Sequence, residues 1–358
     1  MKTYNVIDLF CGVGGFSYGF KKAGFNMLLG IDNNIACMET YKKNIVTDFL
    51  EADISTLTIN KITEITKYKN VDIVIGSPPC QDYSPSNPNK KTKTSTINFL
   101  QNSLQTLPLS YHFFRLVLLL HPKLFILENH PNLFRTEDFN FINKLFNFFG
   151  YKTKLNKIHT EEFGIPQKRH RGFFIGNNLG IDFDLKDLCN TTFPLISLEE
   201  AIGDLKTLTP IKSNDLNIKQ TIPPQNFSSY QILMHNSDVS IYNNISPFNK
   251  PDTIEILKTL KSGEYYKSNQ YHIRSHPYDV SKVITRKFNT PSGDGETMHY
   301  ELPRCLTCRE AARIQTFADN FIFYDDNISN IRLQIGNAVP PLLAQQFAEK
   351  IKDKLDMI

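Results

Sequence analysis

Short apolar runs alternate with stretches of helical spacing through the first half of the chain. "NVIDLF" (5–10), "NMLLGID" (26–32), "DIVIGS" (72–77), "KLFILEN" (123–129) and "RGFFIGN" (171–177) are short and almost continuously apolar. Such runs predict strands covered on both faces. Between them, "FSYGFKKAG" (16–24), "NIACMETYKKN" (34–44), "YHFFRLVLLL" (111–120) and "FINKLFNFFG" (141–150) have helical length and period, and Gly150 is placed to cap the last. A polar connection precedes "DIVIGS". Strand and helix in alternation predict an α/β fold with a mostly parallel sheet, doubly wound because parallel crossovers are right-handed.

Near residue 185 the pattern changes. From there to about 300 the chain is rich in Asn, Ser, Pro, Tyr and Lys and short of apolar runs, which predicts a second, loop-rich domain. "CREAARIQTF" (308–317) returns to good helix formers. "GNAVPPLLAQQFAEKIKDKL" (336–355) predicts a turn and then an amphipathic helix, with Leu342, Leu343, Phe347, Ile351 and Leu355 on one stripe.

Composition narrows the function class only a little. With 358 residues, 41% hydrophobic and 21% charged, the chain is long enough for two cores and too apolar for disorder. A net charge of +4 permits a polyanionic partner without arguing for one. Six cysteines, at 11, 37, 80, 189, 305 and 308, show no framework spacing, so a reducing, cytoplasmic compartment is expected. Asp8 interrupts the N-terminal apolar run before a signal sequence develops. The most apolar stretch, "FFRLVLLLHPKLFIL", is broken by Arg115, His121, Pro122 and Lys123, so no membrane span is expected.

The candidate chemistry gathers at strand ends. "DLFCGVGGF" (8–16) follows the first strand and opens a helix, so its backbone N–H groups would be free to meet a ligand. Asp32 ends the second strand about 20 residues later, where an acid binds ribose hydroxyls in such folds. Asp53 offers a third contact, although an aspartate there, taken on its own, is more often a surface or turn residue. The glycines lack the dinucleotide spacing, which favours an adenosine ligand without phosphates. Cys80 follows a buried strand, and a cysteine in that place is ordinarily a core residue. Here Pro78 and Pro79 stiffen the approach and a polar segment follows. Glu128 and Asn129 end another strand, and "QKRHR" (167–171) brings Arg169 and Arg171 to the start of a third. A cysteine, a carboxylate and two arginines at one sheet edge compose a catalytic site.

Taken in order, "DLFCGVGGF" (8–16), "GSPPCQDYS" (76–84), "ENH" (128–130), "QKRHR" (167–171), "RCLTCREAARIQTF" (304–317) and "QIGNAVPP" (334–341) resemble the motifs of the cytosine-5 DNA methyltransferases of bacterial type II restriction–modification systems. The resemblance covers nearly the whole chain outside 185–300. It departs at His130, where the family usually has valine, and at Asn33, where some members carry an aromatic. The arginine-glycine lead-in to Arg115 is also missing.

The resemblance implies a Rossmann-like S-adenosylmethionine-dependent methyltransferase fold, acting on a cytosine flipped out of double-stranded DNA. Catalytic roles would fall to Cys80 as nucleophile, Glu128 as proton donor to the ring, Arg169 beside the thiolate and Arg171 holding the base. The cofactor, with S-adenosylhomocysteine as product and no metal, would meet Phe10, Gly12, Gly14, Gly15, Phe16, Asp32, Asn33, Asp53, Ile54, Ser77, Pro79, Leu109, Asn337 and Ala338. DNA would meet Gln81 and Ser84, and in the small domain Thr285, Arg286 and Lys287. A plainer role for Asn337 is a helix N-cap. The large domain would be residues 1–185 plus 332–358 and the target-recognition domain 186–331. A monomer is expected, paired in function with a restriction endonuclease. Cys305 and Cys308 with His299 do not make a zinc set, because no second pair completes four ligands.

Three other readings compete. A transfer-RNA cytosine-5 methyltransferase would carry a Cys-Phe-Thr motif, which is absent. A catalytically silent DNA-binding regulator would not need Cys80, Glu128 and Arg171 intact. A nucleotide-dependent oxidoreductase would need a different glycine spacing.

Overall fold

The computed structural model of the protein describes residues 2–79, 108–185, 193–212, 215–235, 237–247, 249–266, 272–290, 293 and 295–358. The chain divides into two units. The first is Met1–Ile158, His170–Thr191 and Ala344–Ile358; the second is His159–Arg169 and Thr192–Leu343. This division differs from the sequence-based one by assigning His159–Arg169 and residues 332–343 to the second unit.

The first unit is built on strands β1 (Asn5–Leu9), β2 (Asn26–Asp32), β3 (Asp48–Glu51), β4 (Ile73–Gly76), β5 (Leu124–Asn129), β6 (Lys152–His159) and β7 (His170–Asn177). They lie in the order β3-β2-β1-β4-β5-β7-β6. β1 to β5 run parallel, and β7 pairs antiparallel with β5, Asn129 opposite Gly172. The strand order therefore reverses between β1 and β4, and the carboxyl ends of five strands share one edge. The start of β7 reaches the same edge because that strand runs the other way.

Helices α1 (Gly15–Lys22), α2 (Met38–Ile45), α3 (Ile59–Ile65), α4 (Leu109–Leu120) and α5 (Glu137–Phe148) connect the strands. Thr136 caps α5 by accepting the Phe139 N–H, and Gly150 follows its end at φ 84°. Consecutive residues of β7 show why the sheet needs two covering layers. Phe173 meets Phe16 of α1 and Phe347 of the C-terminal helix, while Phe174 meets Phe114, Phe125 and Phe139. Side chains alternate across a strand, so "FF" is buried twice, once on each face.

The second unit has little regular structure. It holds the two-residue strands β8 (Gln220–Thr221) and β9 (Ser240–Ile241) and the helices α6 (Leu198–Ile202), α7 (Ser229–Met234), α8 (Pro251–Thr259), α9 (Cys308–Ile314) and α10 (Ile328–Asn337). Three of these helices begin with reciprocal capping boxes: Ser197 with Glu200, Ser228 with Gln231, and Thr307 with Glu310. Helix α11 (Pro341–Asp356) closes the chain. No helix among the described residues is long and apolar enough to cross a membrane.

Candidate active site

At the β1–β4 switch point the chain turns sharply. Phe10 has φ 61°, and Gly14, at φ 86°, caps α1. A Cβ on Gly14 would lie 2.8 Å from the Tyr41 ring, so both its handedness and its packing exclude a side chain. Beneath the turn the Ser17 hydroxyl donates to Asp8 Oδ2 at 2.6 Å and lies 2.9 Å from the Tyr41 hydroxyl. Asp8 is fully buried, and burial pushes its carboxyl up to about 8, with the Ser17 hydrogen bond opposing.

Asp32 faces this turn from the end of β2. Its Oδ2 accepts the Gly12 N–H at 2.8 Å and its Oδ1 accepts the Asn34 N–H at 2.9 Å. Burial raises its carboxyl above the usual range, against the pull of those N–H groups. Each oxygen keeps a lone pair for a hydroxyl donor. Space at Gly12 is open, with nothing within 4 Å of where a Cβ would stand. The loop after β3 continues the rim: Ala52 N–H donates to the Asp32 carbonyl at 3.0 Å, and Asp53 is exposed with Oδ1 accepting the Ser55 N–H at 2.9 Å. That hydrogen bond holds the Asp53 carboxyl below its ordinary range.

Arg115 fixes this loop from α4, its Nη2 donating to the carbonyls of Ile54 at 2.9 Å and Leu57 at 3.0 Å. From the end of β4, Ser77 N–H donates to the Leu9 carbonyl at 3.3 Å and its hydroxyl to the Phe10 carbonyl at 3.4 Å. Pro79 is exposed, Leu109 opens α4 half-buried, and Asn33 is exposed. Gly15 and Phe16 differ from the rest: both are buried, and the Phe16 ring packs edge-on against Phe20 and Phe173. The Phe16 side chain therefore belongs to the core.

The carboxylate end of β5 lies along the same edge. Glu128 is 6% exposed, and the Arg171 Nε sits 3.1 Å from its Oε1. Arg171 also donates to the His170 carbonyl at 2.8 Å. The buried Asn129 amide donates to the Pro78 carbonyl at 2.9 Å, and its Oδ1 accepts the His130 N–H at 2.7 Å. The amide thus ties the end of β4 to the end of β5. Burial, with Arg171 and Arg135 nearby, lowers the His130 imidazole below its ordinary range. Cys80, Gln81 and Ser84 lie outside the described residues.

Arg169, Thr285, Arg286, Lys287, Asn337 and Ala338 belong to the second unit. There the fully buried Gln167 amide donates to the Ile314 carbonyl at 3.3 Å and to Gln315 Oε1, and its carbonyl accepts the Ile284 N–H at 3.1 Å. Gln315 in turn donates to the Ala338 carbonyl, and Arg169 Nη1 to the Gly336 carbonyl at 3.4 Å. A Cβ on Gly336 would lie 2.4 Å from the Arg286 nitrogen, so the glycine admits that backbone. Arg286 and Lys287 are exposed. Asn337 is not an N-cap: it is the last residue of α10, and the turn before α11 follows it. Cys305 and Cys308 are buried, and burial pushes both thiols up to about 12.

Ser17 and Tyr41 escape the motif reading, and Asp8 and Arg115, though they lie on motif segments, carry no assigned role in it. Only Arg115 left a signal, as a charge inside the most apolar stretch of the chain.

Residues 4–353 match the family model described as C-5 cytosine-specific DNA methylase. The Type II methyltransferase M1.HphI of Haemophilus parahaemolyticus is 32% identical over 358 residues, 96% of this chain and 86% of that protein. M.DdeI of Desulfomicrobium norvegicum, also a Type II methyltransferase, is 30% identical over 389 residues, 97% of this chain and 88% of that protein. Among solved structures, a prophage-encoded DNA modification methyltransferase (E. coli) matches with TM-score 0.80 at 26% identity, covering 99% of this chain and 100% of that one.

Proposed function

This chain belongs to the C-5 cytosine-specific DNA methylase family, and from that premise we propose that it methylates cytosine at a short sequence in double-stranded DNA, through a covalent adduct with Cys80. The observation that carries the reading is the β4–β5 edge. Asn129 holds Pro78, two residues before Cys80 in the chain, and Glu128 is buried beside Arg171 on the same strand end.

The adenosine of S-adenosylmethionine fits the rim built by Asp32, Gly12 and the loop bearing Asp53 and Ile54. Asp32 has lone pairs for two ribose hydroxyls, and the open space at Gly12 leaves room for the ligand. Bound there, the cofactor would supply an electrophilic methyl group. Carbon 5 of cytosine is a weak nucleophile, so the Cys80 thiolate adds to carbon 6 while Glu128 gives a proton to nitrogen 3. Carbon 5 takes the methyl group, then loses its proton, and departure of Cys80 restores the ring. Arg171 steadies Glu128 and offers its remaining N–H groups to the base carbonyl. Reaching the ring requires flipping the cytosine from the stack, at a cost of a few kcal/mol. The modification half of a type II restriction–modification system is the setting that fits this chemistry.

Bisulfite sequencing of DNA from cells expressing the chain tests the reading. Cytosines protected within one short motif are expected. Soluble, cofactor-binding protein that protects none would refute it. Cys80→Ala should abolish protection, and Glu128→Gln should slow methyl transfer by at least about 100-fold.

A further inference from the structure

The second unit contains a cleft of about 870 Å³ that the proposed chemistry does not use. Its polar wall is Lys212, Ser246, Asn289, Thr290, Asp326 and Arg332. Two contacts along α10 position the turn beside it. Arg332 Nη1 donates to Asn289 Oδ1, and one turn later Gly336 admits the backbone of Thr285 and Arg286. The turn from 285 to 290 is thus held at both ends along one helix. Within it, Phe288 N–H donates to the Thr285 carbonyl at 3.2 Å and Thr290 N–H to the Lys287 carbonyl at 3.1 Å.

Several cations elsewhere in the unit are answered by acids. Arg304, Arg313, Lys206 and Lys219 are each bound to a carboxylate. Arg332 has only neutral partners, Asn289 Oδ1 and Ser329 Oγ at 2.9 Å, and its buried Nε–H has none. Lys212, Arg286 and Lys287 are exposed and make no side-chain hydrogen bond or ion pair among the described residues. Two positive charges, Lys212 and Arg332, therefore line the cleft against the single carboxylate of Asp326, and Arg286 and Lys287 add two more on the adjoining turn.

We propose that this cleft is a backbone-phosphate subsite for the DNA substrate, with Arg332 and Lys212 as its donors, an inference that rests on reading the chain as a DNA methyltransferase. A phosphate oxygen gives Arg332 the charge-assisted partner it lacks.

The test is fluorescence anisotropy of labelled duplexes, one carrying the methylated motif and one scrambled, across a KCl series. Lys212→Gln should weaken both duplexes alike and reduce the slope of log K against log salt by about 0.9. Lys212→Glu should weaken both further, and Arg332→Lys should keep the wild-type slope where Arg332→Gln loses it. Unchanged slopes in the Lys212 variants would overturn the assignment, as would a loss confined to the motif-bearing duplex, which would signal base reading. Lys212 is exposed and makes no side-chain hydrogen bond or ion pair among the described residues, so its variants decide the matter even where Arg332→Gln fails to fold. A wild-type protein that binds duplexes yet methylates none would refute the proposed function and leave the cleft assignment to the slopes. Methylation that persists with wild-type slopes in the Lys212 variants refutes the cleft alone.

Discussion

In the first unit Phe125 is fully buried among Phe113, Phe114, Phe146, Tyr151 and Phe174, with ring centroids 4.7 to 6.5 Å apart. In the second unit the most deeply buried large side chains include Arg309 and Arg313. Arg309 donates to the carbonyls of Tyr242, Ala318 and Phe321, and Arg313 to both Asp319 oxygens and to Asp204. Arg274 gathers the carbonyls of Leu257, Leu260, His299 and Leu302. Backbone groups in a sheet satisfy one another, so its core needs only shape and apolar area. Irregular loops leave carbonyls without ladder partners, and a buried guanidinium with five donors answers several at once. The arginines of the second unit stand in for secondary structure.

The largest effects should come from cutting each device. Arg313→Ala leaves Asp319 and Asp204 buried without their partner and should cost about 3–5 kcal/mol. Phe125→Ala should cost a similar amount, about 3–5 kcal/mol, by opening a cavity. The conservative replacements separate the two cases. Phe125→Leu should recover most of its loss, because shape can be approximated. Arg313→Lys should recover little, because one ammonium cannot reproduce a planar fork gripping two carboxylates. Urea midpoints of the four proteins give the comparison, and a lysine that rescues as fully as the leucine would break it.

Next in size are the responses to pH, which should carry opposite signs. His299 is fully buried, and burial pushes its imidazole down to about 4, opposed by Glu310 and reinforced by Arg304 and Arg274. Its Nδ1 accepts the N–H groups of Glu301 and Leu302 at 3.0 Å, so the neutral ring is the folded form. The unfolded chain then binds the extra proton. Stability from this residue is complete above about 6.5 and is lost as pH falls toward 4, on the order of 3 kcal/mol. Glu310, held at about 2 chiefly by Arg304 against its own burial, adds its loss only at still lower pH. Asp8 in the first unit works the other way. With its carboxyl at about 8, the folded state holds a proton the unfolded chain releases, so stability falls as pH rises from about 4 to 8. Thermal unfolding from pH 4 to 8 should show His299→Asn flattening the acid side and Asp8→Asn the neutral side. Identical profiles for both variants and wild type would remove the contrast.

The two devices also differ in how far a sequence discloses them. The strands β1, β2, β4, β5 and β7 announce themselves because each is apolar and covered on both faces. The edge strands β3 and β6 do not. "DFLE" buries only Phe49, and "KTKLNKIH" carries three lysines, the polarity that keeps an edge from pairing further. Helix α10 is hidden because its buried face includes Gln334, so the plainer alternative of an N-cap at Asn337 fails where the residue proves to be a helix end. The roles of Arg309, Arg313 and Gln167 depend on carbonyls and carboxylates far along the chain, which no local period encodes. The strand-end residues Asp32, Glu128 and Arg171 were legible because topology alone brings them to one edge. The burial of Asp8 and the inward turn of Phe16 were not, since a motif names residues without saying which way they face.

Arg115 is where the first unit borrows the device of the second, and it yields the smallest predicted effect. The loop from 52 to 58 lies beyond the edge strand β3 and has few ladder partners. Arg115 supplies two hydrogen bonds to it, at Ile54 and Leu57, from a helix that is otherwise mostly apolar. Asp53, on the outer rim of that loop, is exposed and is steadied only locally, by Ser55 and Thr56. Loss of the arginine should therefore loosen the adenosine rim without touching Glu128 or Arg171. Arg115→Met should weaken S-adenosylmethionine binding roughly tenfold, about 1.4 kcal/mol, and leave kcat at saturating cofactor within about twofold, because KM carries an interaction that ground and transition states share. Arg115→Lys, able to reach one carbonyl, should fall between. Isothermal titration with the cofactor, read beside the melting temperature, separates positioning from support: a lower melting temperature with unchanged cofactor affinity would make Arg115 a scaffold residue like Arg309, and would return the loop to the ordinary economy of a sheet edge.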